Sequence, residues 1–117
     1  MRNFLARLIL VMLCLGCVPA FAQNFLPIST QPLTRTLNIQ ASTVLKTGSG
    51  ALICFNVVGT GGTTGTINDV ATTGAAAAAN QIATIPTAIG NYCVTFPYFT
   101  GLVVIPGSSH VIAVSYQ

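Results

Sequence analysis

The stretch LVVIPGSSHVIAVSY, residues 102–116, contains two strand patterns separated by a turn. Leu102–Ile105 is an apolar run that ends at Pro106-Gly107. From His110 to Tyr116 the residues alternate between an apolar and a more polar face. An apolar run bounded by turn residues and an alternation with a period of two are both typical of short strands. No amphipathic helix pattern of comparable strength occurs in the chain, so these residues predict an all-β fold.

Five further segments upstream have strand character, and turns rich in glycine, proline or threonine separate them. These segments are residues 33–44, 51–58, 66–71, 82–85 and 92–96. Turn signals that recur every 8–12 residues or so are typical of sandwiches and jelly rolls. We therefore predict a single antiparallel β-sandwich or jelly-roll-like barrel of about seven short strands.

Three segments carry more specific structural predictions. The almost wholly apolar residues 51–58 predict a central strand covered on both faces. The glycine-rich residues 59–65 predict a loose hairpin connection. Residues 72–79 include five consecutive alanines, which favour helix but are too few to nucleate one alone, and they predict a loop or a single helical turn.

The N-terminal 22 residues have the layout of a secretory signal. Arg2 and Arg7 precede a short apolar run, and Ala20-Phe21-Ala22 before Gln23 forms a small-x-small cleavage site. The predicted organisation is a signal peptide over 1–22, an irregular segment over 23–35 and a β-sandwich over 36–117. Acylation at Cys17, which follows Gly16, and an uncleaved anchor are the alternatives to cleavage at Ala22.

The part of the chain after the predicted signal is almost uncharged. Arg35, Lys46 and Asp69 are its only side chains with a fixed charge, and Asp69 is the only acidic side chain of the whole sequence. A nucleic-acid-binding protein needs a cluster of Lys and Arg to neutralise phosphates, so this function is excluded. A chain with so little charge is also prone to self-association.

Two cysteines, Cys54 and Cys93, remain after the predicted cleavage and permit one intramolecular disulfide. We predict this disulfide, with the two Cα atoms about 4.4–6.8 Å apart. The alternative is a pair of buried free thiols that behave as small hydrophobic side chains. Two cysteines and His110 are too few ligands for a structural zinc site, so we predict no metal and no cofactor.

The inventory of reactive side chains argues against an enzyme. A single carboxylate side chain excludes the pair that a glycosidase needs. Ser108 or Ser109 could be combined with His110 and Asp69 on paper, but adjacent strand residues point to opposite faces. The glycine-rich loop lacks the GK[ST] ending of a phosphate-binding loop. We therefore predict no catalytic residues.

An aromatic cluster surrounds Pro97. One interpretation places Tyr92, Val94 and Phe96 on the face of a strand that lines the core. The other is an exposed aromatic platform for a sugar ring or a protein partner. Tyr98 and Phe99, which follow the proline, are the candidate partner-binding residues.

From Ala41 onward the chain resembles the small β-sandwich proteins found in structural gene clusters of tailed phages and prophages. The matching pieces are Ser42–Leu52, Gly65–Asp69, Phe99–Val104 and Val114–Tyr116. The resemblance implies a non-enzymatic sandwich that serves in assembly or attachment. The signal and the cysteine pair depart from phage virion proteins, which assemble in the cytoplasm.

Together these observations predict an exported protein, periplasmic or extracellular, with a structural or surface-assembly role. The alternative is a small extracytoplasmic binding module for a glycan, a peptide or a protein. The expected partners are copies of the chain itself or a protein or glycan. Contact with a membrane is expected only through the signal peptide during export.

Overall fold

The computed structural model describes residues 31–117, and the predicted signal peptide with its cleavage site lies outside this range. The described part contains eight strands and two short 3-10 turns, Thr73–Ala75 and Ala78–Asn80. The strands are β1 (Thr34–Ile39), β2 (Thr43–Thr47), β3 (Gly50–Gly59), β4 (Gly65–Asp69), β5 (Gln81–Ile85), β6 (Gly90–Tyr98), β7 (Gly101–Ile105) and β8 (Val111–Tyr116). The predicted all-β class is therefore confirmed.

The strands form two antiparallel sheets of four strands each, with the orders β1-β8-β3-β6 and β2-β7-β4-β5. Every connection except β4–β5 crosses from one sheet to the other. This interleaved order is that of a double-sheet jelly roll. The predicted hairpin over residues 59–65 is wrong in this respect, because these residues connect β3 in one sheet to β4 in the other.

One core lies between the two sheets and takes apolar side chains from both. The first sheet contributes Leu52, Phe55 and Ile112, and the second contributes Ile67 and Leu102. Because alternate residues of each strand point inward, the polar residues between them lie outside. β3 is central in its sheet but is not covered on both faces as predicted, since Asn56 and Val58 are exposed.

The predicted strand over residues 33–44 is two strands in different sheets. β1 ends at Ile39 and β2 begins at Thr43, and Asn38 near the break has a φ of 56°. Asparagine tolerates this left-handed region better than most residues, which allows the chain to turn toward the second sheet. β1 also begins at Thr34, inside the segment that the sequence analysis assigned to an irregular lead.

The alanine-rich connection between β4 and β5 is a loop, as predicted, but it contains two short 3-10 turns instead of a single helical turn. Its backbone is held by two asparagines. The buried Asn68 donates to the carbonyl of Ala77 (3.0 Å) and to Oδ1 of Asn80 (2.9 Å). Asn80 in turn donates to the carbonyl of Ala75 (3.0 Å). These bonds order a segment that has almost no side chains of its own to pack.

Six of the seven connections between these strands form two groups of three at opposite ends of the sandwich. One group ties together β2–β3, β4–β5 and β6–β7 around Asp69, and we call it the Asp69 end. The other brings β3–β4, β5–β6 and β7–β8 together around His110, and we call it the His110 end.

Candidate functional site

Cys54 and Cys93 form the predicted disulfide, with an S–S distance of 2.03 Å and a sequence separation of 39 residues. The two cysteines lie directly opposite each other in β3 and β6, on the outer face of the first sheet. A disulfide indicates an oxidising compartment outside the cytoplasm. The alternative of two buried free thiols is wrong.

The Cα atoms of the two cysteines are 4.0 Å apart, closer than the predicted range. Both backbone polar groups of Cys54 bond to the hydroxyl of Ser115 in β8, each at 3.2 Å. Since these groups face β8, Cys54 and Cys93 are a non-hydrogen-bonded pair across β3 and β6. Such pairs approach each other more closely than hydrogen-bonded ones, to about 4.5 Å between Cα atoms.

Tyr98, one of the two candidate partner-binding residues, is fully buried. Its hydroxyl donates to the carbonyl of Gln117 at 2.6 Å. Burial, with smaller contributions from nearby Tyr116 and Asp69, raises the pKa of Tyr98 to about 12. The assignment of Tyr98 to a binding surface is therefore wrong, because Tyr98 pairs with Gly50 and points into the core.

Phe99, the other candidate, is 74% exposed, the highest value among the large hydrophobic side chains of the described region. It lies in the short connection between β6 and β7, at the Asp69 end. The strand parity that buries Tyr98 directs the next side chain away from the core.

The carboxylate of Asp69 holds the backbone of this connection. Oδ2 accepts the N–H of Phe99 at 2.9 Å, and Oδ1 accepts the N–H groups of Thr100 (2.7 Å) and Gly101 (3.1 Å). The carbonyl of Thr100 accepts the N–H of Gly48 at 2.9 Å, which ties in the β2–β3 turn. The exposed phenyl ring therefore stands on an immobilised backbone.

The same contacts set the charge state of Asp69. Partial burial acts to raise its pKa, but the three backbone N–H donors outweigh this and lower the pKa below the ordinary value of 3.8. The amino-acid sequence contains no indication that Asp69 would hold the Phe99 turn. The contact joins residues 30 and more positions apart in sequence, so no local pattern points to it.

Two more apolar side chains are exposed on β6, which is an edge strand. Phe96 is 53% exposed although it lies opposite the buried Leu52, and Val94 is also exposed. The ladder is irregular here: β6 has two residues between the Phe96 and Cys93 pairs where β3 has one. Thr95, within this bulge, has a φ of 44°. The interpretation that placed Val94 and Phe96 in the core is wrong, and only Tyr92 packs there, stacked on Phe55.

Ser108, Ser109, His110 and Asp69 do not come together. His110 is 1% exposed at one end of the sandwich, and Asp69 lies at the other. Nδ1 of His110 accepts the N–H of Gly107 at 2.9 Å, so the proton of the neutral ring is on Nε2. That nitrogen has no partner among residues 31–117 and faces Gly61, where a side chain would collide with the ring.

The described residues include no group of three or more His, Cys, Asp or Glu side chains that could hold a metal ion. Within residues 31–117, no helix combines the length and the hydropathy needed to cross a membrane.

The fold and these contacts define a small disulfide-bonded jelly roll with an apolar tip. The chain matches no family model, and no curated protein or solved structure is significantly similar to it. The resemblance to phage structural proteins therefore stays a prediction.

Proposed function

We propose that this protein is an exported, non-catalytic structural component whose copies associate through the apolar tip of the Asp69 end. The tip is defined here as the exposed Phe99 on its turn, and Phe96 and Val94 are further exposed apolar side chains of the neighbouring strand β6. The observation that carries the proposal is the 74% exposure of Phe99 on a turn that Asp69 fixes by three hydrogen bonds.

Fixing the turn matters because association costs free energy for every group that it must immobilise. Asp69 has already removed the backbone freedom of Phe99 in the free protein. Large aromatic side chains that fill a pocket on a partner supply much of the binding energy of interfaces. A phenyl ring on a rigid turn is thus suited to a protein contact.

The sheet edges support contact through side chains rather than through strand pairing. All four edge strands (β1, β6, β2 and β5) have an interrupted register. Bulges at edge strands hinder the addition of a strand from another molecule. We therefore propose that copies associate by packing of the apolar tip and not by pairing of strand edges.

Charge and compartment are consistent with such a role. Arg35, Lys46 and Asp69 are the only fixed charges of residues 31–117, so repulsion between copies is weak. The disulfide supports export, which the layout of residues 1–22 predicts. The carboxylate of Asp69 is occupied by hydrogen bonds from the backbone, and the side chain of His110 is buried. Both observations support a non-catalytic role.

The test compares three proteins, each purified in the oxidised form, by native mass spectrometry and sedimentation velocity at several concentrations. They are the wild type, Phe99→Ser at the tip and Ile89→Ser in the β5–β6 connection. Ile89 is 63% exposed and lies at the His110 end, so it controls for the loss of an exposed apolar side chain.

We expect a discrete multimer for the wild type and for Ile89→Ser, and a monomer for Phe99→Ser. A wild type that stays monomeric at every concentration would contradict the proposal and favour a binding module. A Phe99→Ser variant that still forms the multimer would remove the tip from the interface.

A further inference from the structure

The outer face of the first sheet contains a concavity of about 300 Å³, and none of the residues that line it belongs to the apolar tip. Volumes near 300 Å³ are at the lower limit of small-molecule sites. The side chains around it come from all four strands of the sheet, and two rows of them cross the sheet side by side.

The first row runs through paired residues of adjacent strands. Arg35 in β1 pairs with Ser115 in β8, Ser115 pairs with Cys54 in β3, and Cys54 pairs with Cys93 in β6. The hydroxyl of Ser115 is bonded to the backbone of Cys54, so it lies low on the sheet. Arg35 is exposed, and its guanidinium has no hydrogen-bond partner among residues 31–117.

The second row lies two residues further along each strand. Ala113 in β8 pairs with Asn56 in β3, and Asn56 pairs with Asn91 in β6. Leu37 closes this row on the β1 side and is exposed. The methyl group of Ala113 is the smallest side chain of the row, and for this reason the surface is concave at the centre of the sheet.

The resulting site has a cationic side, an amide side and small side chains between them. Arg35 lies on one side, and the amides of Asn56 and Asn91 lie on the other, in register. Ala113 and the disulfide sulfur of Cys54 contribute to the floor. Oδ1 of Asn91 is 3.6 Å from Sγ of Cys93, a packing contact because a disulfide sulfur has no proton to donate.

We propose that this concavity binds an acidic monosaccharide unit, a hexuronic acid, of an extracytoplasmic glycan. The planar fork of an arginine matches a carboxylate, and the face holds no acidic side chain that would compete. Asparagine amides both donate and accept, as neighbouring sugar hydroxyls require. The methyl group of Ala113 and the neighbouring Cys54 offer apolar contacts to the C–H groups of the ring.

A sugar fits these groups better than a peptide does. A peptide strand would need a free sheet edge, and this site lies across the middle of the sheet. The only carboxylate side chain of the protein, Asp69, belongs to the other sheet and is committed to its turn. Arg35, which has no hydrogen-bond partner among residues 31–117, is therefore complementary to an anionic ligand.

The experiment is a titration of the ¹⁵N-labelled oxidised protein with the methyl glycoside of glucuronic acid, followed by amide chemical shifts. Methyl glucoside, which lacks the carboxylate, and sodium acetate, which lacks the ring, are the control ligands. Arg35→Gln is the test variant. The matched control is Lys46→Gln, which removes a cation from β2 in the other sheet.

We expect saturable shifts at Asn56, Asn91 and Ala113, with a dissociation constant in the millimolar range typical of a single shallow contact, about 1–10 mM. Arg35→Gln should weaken binding about tenfold, the loss that corresponds to about 1.4 kcal/mol. Lys46→Gln should leave the affinity unchanged.

Three results would overturn the proposal. The absence of saturable shifts with the glucuronide would show that the concavity does not bind it. If methyl glucoside bound equally well, the contact between Arg35 and the carboxylate of the ligand would not contribute to binding. Equal shifts with acetate would reduce the site to simple ion pairing. Phe99→Ser should bind the glucuronide like the wild type, so failure of the site and failure of the proposed association are distinguishable.

Discussion

The two ends of the sandwich join three connections each, but they do so by different physical means. At the Asp69 end a partly exposed carboxylate accepts three backbone N–H groups. At the His110 end a buried imidazole accepts one, and glycine backbone packs against its other side. The Asp69 end has a charged acceptor that the His110 end lacks, although Gly50 and Gly101 are also closely packed at the Asp69 end.

The His110 end also uses backbone hydrogen bonds that only closely packed loops can form. Gly61 donates to the carbonyl of Thr87 (3.2 Å), and Gly62 donates to the carbonyl of Ser108 (2.8 Å). Ser109, next to the histidine, has a φ of 64°, in the left-handed region. There is no space here for a larger side chain, whereas the Asp69 end leaves Phe99 in solvent.

The two ends of the sandwich should tolerate different perturbations. The Asp69 end depends on an ionised group, so a change of pH should affect it, while a change of side-chain size at its surface should not. The His110 end depends on close packing, so added volume should damage it most. Three substitutions test this difference, beginning with the one expected to cost the most stability.

Gly61→Ala should be the most damaging of the substitutions considered. The new methyl group would overlap the His110 ring, which is enclosed and has nowhere to move. Overpacking of this kind costs about 3 kcal/mol of unfolding free energy. Urea denaturation of the oxidised protein measures it.

Gly74→Ala is the matched control at the Asp69 end, because a Cβ at Gly74 would meet nothing within 4 Å. Its free energy of unfolding should change by less than about 0.5 kcal/mol. Equal losses for the two variants would show that overlap with the His110 ring is not the cause of the loss at position 61.

Asp69→Asn should lower the free energy of unfolding by about 2 kcal/mol at neutral pH, because an amide replaces an ionised acceptor of three N–H groups. The folded-state pKa of Asp69 is depressed, so its stabilising contribution is complete above 3.8 and is lost as the pH falls through that lower pKa.

The measurement is the free energy of unfolding of both proteins from neutral to strongly acidic pH. The wild type should converge on Asp69→Asn in acid, and a difference that persists there would contradict the assignment. Asp69 is the only acidic side chain in the sequence. The change in unfolding free energy at acidic pH should therefore come almost entirely from this group.

Tyr98→Phe should have the smallest effect, a loss of about 1 kcal/mol for the hydrogen bond to Gln117. The substitution should also change how stability depends on pH in the alkaline range. Because the folded-state pKa of Tyr98 is raised to about 12, the wild type should lose stability as the pH rises from 10 toward 12. The variant should lose less over that interval, and parallel alkaline curves would exclude the assignment.

The sequence predicted the elements of this fold better than their arrangement. Period-two alternation located β8 and the buried run located β7, because both signals are local. The same alternation runs through Asn38 without a break, so it predicted one strand where the chain changes sheets. Whether a connection closes a hairpin or crosses between sheets depends on partners far away in sequence.

The candidate site likewise has features that could be predicted from the sequence and features that could not. The disulfide could be predicted, because two cysteines allow one pairing. Tyr98 and Phe99 could not be told apart, since their burial depends on the parity that the bulge near Thr95 sets for the end of β6. The bond from Asp69 to the Phe99 turn, and the rows of side chains across β1, β8, β3 and β6, exist only once the sheets are assembled.

The pairing of β1 with β8 has a mechanical consequence. Thr34 and Tyr116 lie opposite each other, so the first and last strands of the sandwich meet at one corner of the first sheet. Tension applied through these two residues would open the β1–β8 ladder one pair at a time, like a zipper, instead of shearing all its bonds at once. The disulfide joins β3 to β6 and lies outside the path of that force, so β1 would detach while the rest of the sandwich remains closed.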